Sequence, residues 1–226
     1  MKLNLNTGLS ALPKVGGGSG PAPFVNTYST DFDGTDDKVV FGSTIDLGTT
    51  SSESIWIKQS TPAAGENIIG IPLVATSFHL HLDASSQGAY VRNASYFWVF
   101  NSAATQTAIN TTDWIHIAII RTGVTTCRFY VNGVDNDGIQ TNASMVGNTL
   151  IASLGSSLTG GYWYQGLIDE YAGFDEVKAI GDLWDGTGTP TNLAAESGLV
   201  FWNRLGDSAV FNANSQWEFP EQTKID

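Results

Sequence analysis

Trp114–Gly133, WIHIAIIRTGVTTCRFYVNG, reads as two β-strands joined by a tight turn. Ile115, Ile117 and Ile119 alternate with Trp114, His116, Ala118 and Ile120. Both faces of the first strand are therefore largely apolar, which places it inside a sheet rather than at an edge. After Thr122-Gly123, Cys127, Phe129 and Val131 fall on one face of the second strand and Arg128 and Tyr130 on the other. Asn132-Gly133 follows, a pair that tolerates the positive φ angles of a two-residue turn.

Outward from this hairpin, the same alternation recurs in short runs. YSTDFDG from Tyr28 and KVVFG from Lys38 flank the turn Asp33–Asp37. Ser54–Lys58, Asn67–Ile71, Ser77–Asp83, Ala89–Val91 and Tyr96–Phe100 precede the hairpin, and Leu150–Leu154, Gly166–Tyr171 and Gly198–Trp202 follow it. In SFHLHLD, Phe78, Leu80 and Leu82 face inward while His79, His81 and Asp83 face away. Val177, Ile180, Leu183 and Trp184 sit at helical spacing and predict one short helix. The tail, including Trp217 and Phe219, is expected to pack on the outside.

Residues 1–27 differ from the rest. Leu3, Leu5, Leu9 and Leu12 are scattered among polar residues, and Gly16–Gly20 (GGGSG) and Pro21-Ala22-Pro23 follow. Such a composition builds no core of its own. The reading is an extended arm, anchored on another chain through the four leucines, ahead of one domain over residues 28–226.

The 226 residues suffice for a full core, and a charged fraction of 14% with 25 glycines suits many strands separated by turns. A formal charge of −12 argues against a basic surface for nucleic acid or anionic membranes and leaves divalent cations as partners. One cysteine, Cys127, excludes an internal disulfide and reads as a small buried hydrophobe. No apolar run approaches the ~20 residues of a membrane span.

The order FDGTDDKVVFG, SIWIK, WIHIAIIRTG with FYVNGV, Leu154-Gly155, then GLIDEY with a short helix after it, resembles the laminin-G-like jelly roll of the concanavalin A-like lectin/glucanase superfamily over roughly residues 28 to 205. The resemblance implies an all-β, antiparallel jelly-roll β-sandwich with one short helix and an extended N-terminal arm. Ser52 and Glu53 stand where such proteins usually carry apolar residues, so the start of that strand is expected to be exposed. The GTGTPTNL turn and LVFW strand are similar to those of tailed, especially marine, bacteriophage virion proteins. That likeness implies a structural or accessory virion component at the particle surface: capsid decoration, head fibre or tail. It would be made in the host cytoplasm, be present in multiple copies, and be held to other virion proteins by its arm. A stand-alone carbohydrate-binding lectin and an atypical glycoside hydrolase are the alternatives.

Trp98, Trp114, Tyr96 and Tyr130 with His79, His81 and His116 are read as sharing a sheet face, and Tyr162, Trp163 and Tyr164 as a loop-borne cluster. Their rings could stack on sugars, but packing accounts for most tryptophans in a sandwich. The three histidines, taken on one face, could also ligate a transition metal, and solvated strand positions explain them more simply. Asp31, Asp33, Asp36 and Asp37 are candidate calcium ligands, and turn formation explains them equally well. No other cofactor is implied. The superfamily's glucanases carry a Glu-x-Asp-x-x-Glu strand that this sequence lacks, and Asp169 and Glu170, being adjacent, point to opposite faces of a strand. The expectation is a protein without catalysis.

Overall fold

The computed structural model describes residues 2–4, 24–62, 64–70, 79–83, 88–92, 96–156, 162–207, 210–211 and 217–218. In chain order the elements are β1 (Lys2–Asn4), β2 (Ser29–Asp33), β3 (Val39–Asp46), β4 (Ser51–Gln59), β5 (Ala64–Gly70), β6 (His79–Asp83), β7 (Gly88–Arg92) and β8 (Phe97–Phe100). Helix α1 (Ala103–Ile109) precedes β9 (Ile115–Gly123), β10 (Thr126–Val131), β11 (Gln140–Thr141), β12 (Leu150–Leu154) and β13 (Gln165–Phe174). Helix α2 (Ile180–Leu183), β14 (Leu199–Asn203), a 3-10 turn (Leu205–Asp207), β15 (Val210–Phe211) and β16 (Trp217–Glu218) complete it.

The strands form an eight-stranded sheet, ordered β1-β2-β13-β4-β9-β10-β11 with β14 alongside β13, and a six-stranded sheet, ordered β3-β12-β5-β6-β7-β8. All of these pairs are antiparallel. β15 and β16 pair with each other, and Phe219 lies outside the described residues. No described helix is long and apolar enough to cross a membrane.

The hairpin carries the fold as its alternation predicts. Ile115, Ile117 and Ile119 of β9 and Cys127, Phe129 and Val131 of β10 enter the core between the sheets, with Ile55 and Ile57 of β4 and Leu80 and Leu82 of β6. Burial pushes the Cys127 thiol well above its ordinary pKa, which keeps it protonated and unreactive. Asn132 and Gly133 take φ of 49° and 78° in a two-residue turn that brings Val134 back to Val131. The opposite face of β9 is buried too. Ala118 and Ile120 pack with Phe174, Leu183, Leu193 and Trp202, because the chain from Asp175 to Glu196 lies over this face.

Two expectations are corrected. Among the described residues there are two short helices: α1 is capped by Ser102, whose Oγ accepts from the Thr105 N–H at 3.1 Å, and α2 spans four residues, less than the spacing of Val177 to Trp184 suggests. Ser52 and Glu53 are buried rather than exposed. The Ser52 hydroxyl donates to the Glu176 carbonyl and accepts from the Lys178 N–H, while Glu53 Oε2 accepts from the Tyr171 hydroxyl at 2.8 Å. Within the arm, Lys2, Leu3 and Asn4 pair antiparallel with Asp31, Thr30 and Ser29. Leu5, Leu9 and Leu12 lie outside the described residues.

Candidate functional site

Strand register divides the candidate aromatics among three environments. β8 turns Trp98 and Phe100 inward, so Trp98 is 1% exposed in the core, where its Nε1–H donates to the Thr125 carbonyl at 3.0 Å. Tyr164 is likewise buried, packed edge-on to Phe32 at 6.1 Å. Neither can meet a ligand. His116 lies on the eight-stranded sheet, whereas His79 and His81 belong to the six-stranded one, so the three histidines share no face. Its ring stacks on Trp184 at 5.3 Å and its Nε2 is 2.8 Å from Ser54 Oγ. Burial drives its pKa down to about 3, so it is neutral near pH 7. Tyr130 is half-buried on that same covered face, and Trp114 is half-buried just ahead of β9.

A different set of rings converges on the outer face of the six-stranded sheet. Because Leu80 and Leu82, Ala89 and Val91, and Trp98 and Phe100 point inward, the alternate residues His81, Tyr90 and Phe97 must point outward. Registers His81↔Tyr90 and Arg92↔Phe97 place them side by side. Tyr162 meets the His81 ring edge-on at 5.4 Å, His81 meets Tyr90 at 6.0 Å, and Tyr90 meets Phe97 edge-on at 5.8 Å. The result is a row of four rings. Tyr162 is 67% exposed and Phe97 and its neighbour Tyr96 are 48% exposed. Trp163 is half-buried, with Lys38 Nζ 5.8 Å from its ring centroid. Tyr90 and Phe97 do not figure among the sequence candidates; their signal was the same inward-outward alternation that identified His81.

At the end of β2, the carboxylates of Asp33, Asp36 and Asp37 come within 4.8 Å of one another, a group that does not include Asp31. Asp33 Oδ1 accepts the N–H groups of Thr35 and Asp36, and Asp37 Oδ2 accepts that of Asp33. The Thr35 N–H in particular holds the Asp33 carboxyl below its ordinary pKa.

Three further carboxyls lie buried in the eight-stranded sheet. Burial raises Glu53 to about 7, Asp169 to about 8 and Glu170 to about 7. Asp169 and Ala172 flank a bulge within which Glu170 takes φ 49°. Glu170 Oε1 accepts from Arg204 Nε at 3.0 Å.

Two face-to-face antiparallel sheets, one bearing an aromatic row with exposed ends, define a lectin-like β-sandwich. The chain belongs to the concanavalin A-like lectin/glucanases superfamily, whose Laminin_G_3 model matches residues 33–179. No curated protein matches the sequence. Among solved structures, the enzymatically active domain of tailspike protein 2 from bacteriophage CBA120 is similar at 16% identity and a TM-score of 0.55, over 82% of this chain and 30% of that one. A putative carbohydrate binding protein from Bacteroides ovatus is similar at 13% identity and 0.52, over 86% and 59%. A heptameric SAP-like pentraxin from Limulus polyphemus is similar at 13% and 0.50, over 84% and 90%. At these identities the likeness is one of fold.

Proposed function

We propose that the chain is a non-catalytic glycan-binding module, displayed on a bacteriophage particle and attached there through residues 1–27. The surface row Tyr162–His81–Tyr90–Phe97, open at Tyr162 and Phe97, carries the glycan reading. Aromatic rings at a sheet surface present apolar planes with polar tips, which suits the apolar faces and hydroxyl rims of sugar rings. The carboxyls whose raised pKa would suit acid–base chemistry are buried in the other sheet, away from that row. Asp33, Asp36 and Asp37 are the residues we assign to a calcium ion, since hydrogen bonds already hold Asp33 ionised beside two further carboxylates.

A glycan array probed with the full chain tests the site. Tyr162→Ala and Phe97→Ala should each weaken the best ligand roughly five- to tenfold, equivalent to ~1 kcal/mol of lost ring contact, while Tyr130→Phe on the other sheet changes nothing. Titrating the same ligand in calcium and then in EDTA should show weaker binding in EDTA. A wild-type chain that retains no glycan would remove the reading. For the particle, a chain lacking residues 1–27 should fold yet fail to be incorporated; incorporation at the wild-type level would remove that part.

A further inference from the structure

β1 is joined to its partner in an unusual way. Its last residue, Asn4, pairs with Ser29, the first residue of β2, so the two strands are antiparallel neighbours with adjacent ends. Two residues suffice to connect such ends. Here residues 5–28 intervene, 24 in all.

The later part of that connection is fastened to the body. The Phe24 ring stacks on Trp202 at 5.7 Å, and the Arg204 guanidinium lies 4.7 Å from the Phe24 ring centroid and donates to the Val25 carbonyl. The Thr27 N–H donates to Asp207 Oδ2 at 2.8 Å. Residues 5–23 thus connect a fixed point at Phe24 to a three-residue strand, and fully extended they would reach ~60 Å. That is enough to arrive at the same edge of an adjacent molecule.

Pairing over three residues offers few hydrogen bonds, each worth about 1 kcal/mol net, and closing a loop of this length opposes them entropically. A tether of this kind supplies its own strand at an effective concentration of the order of millimolar. A second copy held at comparable local density offers the same strand, in the same register, with the same bonds and without the loop to close. Left unpaired, Ser29–Asp31 would be an open sheet edge.

We propose that residues 2–4 are an exchangeable edge strand, which pairs with Ser29–Asp31 of a second copy of this chain when copies are brought together. The interaction surface is the β2 edge of the eight-stranded sheet, and its occupant is the N-terminus of a neighbour. This goes beyond the glycan reading and stands or falls without it, because the site is on the other sheet.

Register supplies the test, since Lys2 stands opposite Asp31. Full-length Lys2→Cys and Asp31→Cys proteins are mixed at ~1 mM, the order of the tether's effective concentration, and oxidised with glutathione. Cys127, buried in the core, stays silent. A disulfide joining position 2 of one chain to position 31 of another should appear by peptide mass spectrometry, at several times the yield obtained when Lys2→Cys is mixed with Thr50→Cys, an exposed position away from this edge. Adding Leu3→Pro to the Lys2→Cys chain removes the strand's central N–H and should return the yield to that background without changing the melting temperature. Equal yields from the position 31 and position 50 partners, or a yield unaffected by Leu3→Pro, would overturn the proposal.

Discussion

Replacing Arg121 with alanine lowers the melting temperature by roughly 10 °C, the largest single-site loss expected outside the apolar core. Arg121 continues the inward-facing series of β9 and is 1% exposed. Its Nη1 donates to the carbonyls of Gly48 and Gly147 at 3.3 and 3.0 Å and to Thr149 Oγ1 at 3.1 Å, and its Nη2 donates to the Val124 carbonyl at 2.8 Å. One side chain thereby ties together three loops at the end of the sandwich. The guanidinium also lies 5.5 Å from the Trp98 ring centroid. Burial lowers its pKa to about 10, which still leaves it charged at neutral pH. Truncation strands the Gly147 and Val124 carbonyls, while the Gly48 carbonyl keeps the Thr149 N–H and Thr149 Oγ1 keeps the Ser51 hydroxyl. Each buried unsatisfied group costs about 1–3 kcal/mol, so the total is ~4 kcal/mol, and a chain of this size shifts by ~2–4 °C per kcal/mol. Arg121→Lys restores the charge without the planar fork and should recover less than half of the loss. Thermal unfolding followed by circular dichroism measures both; an alanine variant within 2 °C of the parent would show that the loops hold without it.

Arg121 also marks the limit of what the sequence discloses. Alternation tells which face a residue takes, and it placed Ile115–Ile120, Cys127–Val131 and Leu80–Leu82 correctly. It does not tell what covers a face. His116 and Tyr130 read as outward, and outward they are, but the chain from Asp175 to Glu196 lies over that face and Trp184 caps His116. Ser52 and Glu53 looked exposed because their burial depends on Glu176, Lys178 and Tyr171, more than a hundred residues away. α1 escaped notice because AATQTAI buries only Thr105 and Ile109 and shows no apolar stripe; its one signal was Ser102 three residues before Thr105. The aromatic row was half legible. His81 and Tyr162 were recognised, but only the pairing of β6, β7 and β8 puts Tyr90 and Phe97 beside them.

The second large effect is an inverted dependence of stability on pH, with the protein more stable near pH 5.5 than near pH 8. Carboxylates that are ion-paired on a surface usually act the other way, since their pKa falls on folding. Here burial raises Asp169 to about 8, and Glu53 and Glu170 to about 7; the neighbouring Glu170 adds to the rise at Asp169, and Arg204 partly offsets it at Glu170. In the unfolded chain these groups titrate near 4. The folded state therefore holds more protons between pH 4 and 8. Their contribution is fully present below pH 4 and is lost as pH rises through 7 and 8. His116 opposes this: its folded pKa is depressed to about 3, so its contribution is present above pH 6.5 and is lost as pH falls below it. One residue against three leaves the carboxyls dominant above pH 5, at ~1.4 kcal/mol per pH unit for each fully shifted group. The melting temperature should fall by on the order of 10 °C between pH 5.5 and 8. Asp169→Asn isolates the largest share. Asparagine keeps an oxygen to accept the Glu170 N–H that Asp169 Oδ1 now accepts at 2.8 Å, but it loses the proton equilibrium. The variant should match the parent near pH 5.5, exceed it at pH 8 by ~2–3 kcal/mol, and show a visibly flatter pH profile. A parent that gains stability from pH 5.5 to 8, or an asparagine variant with an unchanged slope, would mean that these carboxyls are ionised in the fold and held by partners rather than neutralised by burial.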